Sequence, residues 1–139
     1  ARDELRAERM PIARRVSLEE LKAALVDWQA ATGDIVTLEY LLIKDQNCGR
    51  REAKDMVRFI HGLRAKVNLI PFNAFPGLPY QRPDEDEIRA FQSYLTERRI
   101  AAPVRHSKGL DISAACGQLA AKDAESLADR PSRRRLFEE

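Results

Sequence analysis

IVTLEYLLI at residues 35–43 and KVNLIPF at residues 66–72 have the length and the β-branched, apolar composition of two β-strands. Between them, about residues 50–64 carry apolar side chains at helical spacing, which predicts an α-helix. Its predicted inner face comprises Ala53, Met56, Val57, Ile60 and Leu63. Because two strands separated by such a helix form a βαβ unit, the sequence predicts an α/β fold with mostly parallel strands and outer helices.

Capping signals predict two further helices on either side of this unit. Ser17 is followed three residues later by Glu20, which is the pattern of a capping box. The predicted apolar stripe of this helix comprises Leu18, Leu21, Leu25 and Trp28, and Gly33 follows its end. Asp84 and Glu87 repeat the capping pattern in front of a helix whose inner face comprises Ile88, Phe91 and Leu95.

Three shorter segments complete the predicted organisation of the chain. Ala1–Arg9 is charged and predicted to be helical, and Pro11 prevents its continuation. A short strand is predicted near residues 101–105. Residues 126–139 are rich in charge and are predicted to form a frayed helix or a disordered tail, which leaves residues 1–125 as the folded part.

Polar residues interrupt one face of each predicted strand. Thr37 and Glu39 share a face of the first strand, and Asn68 lies opposite Val67 and Leu69 in the second. Such a face is typical of a barrel interior that holds something polar, but a satisfied buried hydrogen bond explains it equally well. Three strands cannot close a barrel, so the sequence predicts part of one.

A proline-rich loop, PFNAFPGLPYQRP at residues 71–83, follows the second strand. Ligands of α/β folds bind at the carboxyl ends of the strands, so this loop is a candidate binding segment. Asn73 offers both amide donors and acceptor lone pairs there. The aromatic residues Phe72, Phe75 and Tyr80 either stack on a flat ring or pack the loop onto the fold, and packing is the commoner role.

Cys116 lies among small residues in DISAACGQLAAK at residues 111–122. Small neighbours leave a sulfur accessible, which favours a reactive thiol, whereas an isolated cysteine is more often an inert packing residue. The sequence contains two cysteines and no CxxC pair, which argues against a structural zinc site and a disulfide framework and fits a reducing cytoplasm.

Composition narrows the class of protein without naming a partner. The 139 residues are 44% apolar and 33% charged, as in one soluble globular domain, and no run is long enough to span a membrane. Lysine and arginine number 24 against 22 acidic residues, a balance that does not prove a nucleic-acid partner. Arg98, Arg99, Arg105 and Lys108 form a local basic segment, which either faces phosphates or is a solvated helix end.

Two motifs together carry a resemblance to a known family. VNLIPFNAFPG at residues 67–77, followed by DISAACGQLA at residues 111–120, resembles the RlmN/Cfr family of radical SAM methyltransferases. RDELRAERMPIARR at 2–15, TLEYLLIKDQN at 37–47 and PGLPYQRP at 76–83 fit the same family. The resemblance implies the C-terminal portion of a partial, TIM-like (βα) radical SAM barrel.

The resemblance also implies an activity and its site residues. Family members methylate an adenine, either at C2 in 23S rRNA and tRNA or at C8 of the same rRNA adenine. Cys116 matches the cysteine that takes a methyl group from S-adenosylmethionine and becomes the S-methylcysteine intermediate. Asn73 matches a residue that contacts S-adenosylmethionine. The implied partners are 23S rRNA, tRNA and an external electron donor, in the cytoplasm and away from membranes.

Part of the family pattern is absent from the sequence. The CxxxCxxC motif that binds the family's [4Fe-4S] cluster does not occur, so its ligands are expected outside this chain and the chain alone is predicted to be inactive. Cys48 occupies a loop position typical of a local substitution and is not expected to be the family's second, resolving cysteine. Two other hypotheses are an RNA-binding remnant that uses residues 98–108 and a thiol-redox protein.

Overall fold

The computed structural model describes residues 2–74 and 76–105 of the chain. The predictions for Phe75, Lys108, Cys116 and residues 126–139 lie outside this part. The helices are α1 (Asp3–Arg9), α2 (Leu18–Thr32), α3 (Arg50–Ile60) and α4 (Glu85–Thr96), with a 3₁₀ turn at Pro11–Arg14. The strands are β1 (Val36–Leu42) and β2 (Ala65–Pro71).

The two strands form a parallel pair, as predicted for a βαβ unit. Their register runs from Val36 opposite Ala65 to Leu42 opposite Pro71. The segment predicted as a third strand runs along the other edge of β2 and forms a parallel bridge between Leu69 and Val104. Two further hydrogen bonds extend this pairing, because the amides of Val67 and Leu69 donate to the carbonyls of Ala101 and Pro103 at 2.8 and 2.9 Å. Three adjacent parallel segments therefore form the described sheet.

The hydrophobic core lies between one face of this sheet and the helices α3 and α4. Its buried members are Leu42, Ala53, Met56, Ile60, Val67, Leu69, Ile88, Phe91, Leu95, Ile100 and Ala102. The rings of Tyr40 and Phe91 stack across the core with centroids 5.3 Å apart. The predicted inner faces of both helices are thus confirmed, and apolar contact holds the sheet against them.

Local signals at the helix ends are confirmed. The Ser17 hydroxyl accepts from the Glu20 amide at 3.1 Å, and the Ser17 amide donates to the Glu20 carboxylate at 2.8 Å. Gly33 ends α2 with a φ of 75°, the left-handed conformation that glycine adopts without a steric penalty. The Asp84 amide donates to the Glu87 carboxylate at 2.8 Å in front of α4.

Two predictions about the helices were wrong. The α3 helix ends at Ile60 rather than near residue 64, because Gly62 turns the chain with a φ of 85° while Leu63 stays buried at helical spacing. Trp28 was assigned to the buried stripe of α2 but is 45% exposed. The residue that anchors α2 is Gln29, whose amide donates to the carbonyls of Asp34 and Arg64 at 2.7 and 2.9 Å.

Candidate functional site

The side chain of Asn73 is the clearest candidate for a ligand contact in the described residues. It lies two positions after the end of β2, at the carboxyl edge of the sheet. Its Oδ1 atom is buried, and none of the described residues donates a hydrogen bond to it. A buried acceptor without a partner is destabilising, so an arrangement that keeps one is expected where a bound molecule supplies the donor.

One end of the loop that carries Asn73 is fastened to the last residue of β1, and the other end to the segment that follows β1. At its start, the Phe72 amide donates to the Leu42 carbonyl at 2.8 Å. At its far end, the Lys44 amide donates to the Gln81 carbonyl at 3.0 Å, and the Lys44 ammonium lies 2.8 Å from the Asp84 carboxylate. These contacts fix the loop between two points of the sheet edge.

The aromatic residues of the loop pack against one another and against α1. The rings of Phe72 and Tyr80 meet edge to face, with centroids 5.9 Å apart and planes at 86°. The guanidinium carbon of Arg9 lies 4.9 Å from the Tyr80 ring centroid. For these two rings the packing alternative is therefore the one that the structure shows. Sequence reasoning missed the contact with Arg9, because α1 and the loop are far apart along the chain.

A hydrogen bond joins two of the polar residues on the strands. Glu39 and Asn68 face each other in the register of β1 and β2. The Asn68 side chain, 3% exposed, donates through Nδ2 to Glu39 Oε1 at 2.7 Å. The hydrogen-bond interpretation therefore holds for the buried Asn68, whereas Thr37 and Glu39 are exposed and the barrel-interior interpretation of their face stays a prediction.

Cys48 lies in a different place, in a groove of about 360 Å³ between α3 and α4 that is also lined by Arg50, Tyr94 and Glu97. Burial raises the pKa of the Cys48 thiol above its ordinary value. The thiol is therefore protonated at neutral pH and a weak nucleophile, in agreement with the prediction that Cys48 is not a reacting cysteine.

The three described arginines of the basic segment, Arg98, Arg99 and Arg105, differ in their contacts. The guanidinium of Arg98 lies 3.5 Å from the Tyr94 ring centroid and 3.6 Å from the Glu97 carboxylate. The positive charge of Arg98 is therefore partly balanced by contacts within the protein. Arg99 and Arg105 are exposed. A phosphate-binding role for this segment remains a prediction.

The described residues offer no set of ligands for a metal cluster. Residues 2–74 and 76–105 contain no group of three or more His, Cys, Asp and Glu side chains arranged to hold a metal ion. The whole sequence contains two cysteines, fewer than the three thiolates of a CxxxCxxC motif. Among the described helices, none has the length and apolar character needed to cross a membrane.

Comparison with known proteins shows which proteins share this sequence and this arrangement of parallel strands and helices. The chain is 46% identical over 120 residues to the dual-specificity RNA methyltransferase RlmN of Nitratiruptor sp., an alignment that covers 86% of this chain and 34% of that protein. A crystal structure of a radical SAM methyltransferase from Sphaerobacter thermophilus superimposes with a TM-score of 0.80 at 44% identity, over 84% of this chain and 34% of that one. Over these residues the chain is homologous to the RlmN radical SAM methyltransferases.

Other comparisons define the extent of the RlmN homology. A probable RlmN of Akkermansia muciniphila is 41% identical over 133 residues, which cover 96% of this chain and 37% of that protein. The chain thus spans about a third of the length of the curated relatives it matches. A domain of a pyruvate-formate lyase-activating enzyme from Bacteroides vulgatus shares the fold at 16% identity, with a TM-score of 0.58. No protein-family model matches the chain.

The homology confirms the predicted fold class. The α/β architecture with parallel strands and outer helices is that of part of a radical SAM methyltransferase. It also accounts for a sheet of only three described segments, since the matched proteins are about three times longer than the matched region.

Proposed function

We propose that the chain is the C-terminal part of an RNA methyltransferase that methylates C2 of an adenine in 23S rRNA and in tRNA. The observation that carries the proposal is the 46% identity over 120 residues to a protein named as a dual-specificity RNA methyltransferase. The matched relatives are named RlmN, which favours methylation at C2 over the C8 alternative. We refer below to the longer protein that would contain this segment as the complete enzyme.

The [4Fe-4S] cluster of the family does not fit this chain. Its two cysteines cannot supply three thiolate ligands, and Cys48 is placed in the groove between α3 and α4 with a raised pKa. We therefore assign the cluster ligands, and the contacts to an external electron donor, to the part of the complete enzyme that this segment lacks. The RNA substrates imply that the enzyme works in the cytoplasm.

Asn73 fits S-adenosylmethionine, the methyl donor. Oδ1 is buried and accepts no hydrogen bond from the described residues, and the adenine amino group, the ribose hydroxyls and the ammonium group of this molecule are all donors that could pair with it. Because both ends of its loop are fastened to the sheet, Asn73 can orient a ligand at small entropic cost.

Cys116 is assigned the methyl-carrying role, and it lies outside the described residues. S-adenosylmethionine supplies an electrophilic methyl group when bound. A thiolate is the strongest nucleophile among the side chains of this segment, so Cys116 is suited to hold that methyl group as S-methylcysteine before it reaches the adenine.

Asn73→Ala is expected to weaken the binding of S-adenosylmethionine to the complete enzyme. Loss of a buried hydrogen bond costs roughly 1–3 kcal/mol, which corresponds to about a 5- to 150-fold higher Kd. Isothermal titration measures the affinity and thermal unfolding checks the fold, which we expect to be unchanged. Gln81→Ala is the matched control, since Gln81 lies in the same loop and contributes its backbone carbonyl. An unchanged Kd in Asn73→Ala would remove Asn73 from the site.

A further inference from the structure

The short helix α1 contributes no buried residue to the core, yet the arginine at its end contacts two loops. The Nη2 atom of Arg9 donates to Gln46 Oε1 at 2.7 Å. The same guanidinium lies over the Tyr80 ring, 4.9 Å from its centroid. Gln46 lies in the loop after β1 and Tyr80 in the loop after β2. Arg9 therefore joins the loops that leave the carboxyl ends of both strands.

The loop that holds Gln46 is itself rigidly fixed. The Asn47 side chain accepts from the Ile43 amide and donates to the Leu41 carbonyl, both at 2.7 Å. The Tyr40 hydroxyl donates to the Asn47 carbonyl at 2.9 Å. At the other end of α1, Arg2 lies 3.0 Å from the Glu52 carboxylate on α3. Arg9 is thus held at its base by α1 and at its tip by an ordered loop.

From Arg9 the contacts continue to Asn73. Tyr80 packs edge to face on Phe72, and Phe72 directly precedes Asn73. Between these two aromatic residues, Ala74 and residues 76–79 are exposed, so this stretch packs little against the described part of the fold. The direction of the Asn73 amide therefore depends on the residues that flank the exposed segment. Arg9 and Tyr80 are both partly buried and the Nε of Arg9 is fully buried, so the contact at Tyr80 is partly desolvated, which strengthens a cation–π interaction.

We propose that Arg9 is a positioning residue for the S-adenosylmethionine site, acting through Tyr80 and Phe72 to fix the direction in which Asn73 presents its amide. The proposal rests on the function proposed above for Asn73. The network lies outside the hydrophobic core, so its loss frees the loop while the core helices and strands remain packed.

A double-mutant cycle in the complete enzyme tests this coupling, with S-adenosylmethionine as the titrated ligand. Arg9→Met keeps the apolar stem and removes the cation, and Tyr80→Leu removes the ring. We expect each change to raise the Kd about tenfold, which lies between the values for an exposed and for a desolvated cation–π contact. The loss in the double variant should be clearly smaller than the sum of the two single losses, because both changes remove the contact between Arg9 and Tyr80.

Conservative variants separate positioning from general destabilisation. Arg9→Lys retains a cation near the ring and should restore part of the affinity, and Tyr80→Phe retains the ring and should bind as wild type does. Arg14→Met is the matched control. Arg14 is an exposed arginine of the same N-terminal segment, and its substitution removes the same charge. Thermal midpoints are measured for every variant, and we expect them to stay close to that of wild type.

Each remaining outcome contradicts a definite part of the account. If Asn73→Ala weakens binding while Arg9→Met leaves the Kd within about twofold of wild type, the Arg9 proposal is wrong and the role of Asn73 stands. Additive losses in the double variant, or an equal loss in Arg14→Met, would also overturn the Arg9 proposal. If Asn73→Ala itself has no effect, the proposed ligand site fails, and the Arg9 proposal fails with it.

Discussion

Cys116→Ser in the complete enzyme is expected to abolish RNA methylation and leave a folded protein that still binds S-adenosylmethionine. The two side chains have nearly the same volume, so a cysteine that served only for packing would tolerate the change with a modest loss of stability. A serine hydroxyl stays protonated near neutral pH and attacks poorly without a general base. We expect no methylated adenine above background when labelled methyl donor is supplied with 23S rRNA or tRNA.

Cys48→Ser provides the matched control for this experiment. It makes the same chemical change at the only other cysteine of the segment, in a groove where burial raises the thiol pKa. The Cys48 variant should methylate RNA at a rate near that of wild type. A Cys116→Ser variant that keeps a near wild-type rate would show that Cys116 does not carry the methyl group.

The isolated 139-residue chain is expected to show no turnover at all. The [4Fe-4S] cluster that the resemblance implies is held by the three thiolates of a CxxxCxxC motif, and the chain has two cysteines. The test supplies the purified chain with S-adenosylmethionine, a reductant and each RNA substrate, and the complete enzyme is assayed in parallel. Methylated adenine formed by the isolated chain would refute the assignment of the cluster ligands to the missing part.

Short-range features of the fold could be predicted from the sequence because they depend on a few neighbouring residues. The capping box at Ser17 and the left-handed Gly33 are set by local backbone geometry and by side chains within a turn. The parallel pairing of β1 and β2 follows from the helix between them. Apolar spacing predicted the wrong end for α3. Leu63 continues the helical spacing although Gly62 has already turned the backbone away from the helix.

The burial of α2 could not be predicted from its own residues. An apolar stripe shows which side of a helix is suited to burial but does not show which surface will cover it. Trp28 remains largely exposed, while the polar Gln29 bridges Asp34 and Arg64 through backbone groups that only the folded chain brings together. Burial here depends on tertiary contacts that apolar periodicity does not encode.

In the candidate site, too, local features could be predicted from the sequence and long-range contacts could not. The position of Asn73 after a strand is a local property of the sequence, and the structure adds a buried acceptor atom there that receives no hydrogen bond within residues 2–74 and 76–105. The contact of Arg9 with Tyr80 joins residues far apart in sequence and leaves no sequence pattern. The role of Cys116 came from a family resemblance, because a cysteine among small residues is compatible with both packing and catalysis.

The most direct test of the proposed function is a mass measurement on the Cys116 peptide of the wild-type complete enzyme. The enzyme is incubated with an isotopically labelled methyl donor in the absence of RNA and then digested, and the peptides that contain Cys116 and Cys48 are compared. The account predicts a labelled, methyl-sized mass increase on the Cys116 peptide and none on the Cys48 peptide. Once the free labelled donor has been removed, it predicts loss of that label when substrate RNA, a reductant and unlabelled S-adenosylmethionine are added together. An active enzyme whose Cys116 peptide carries no methyl group under these conditions would contradict it.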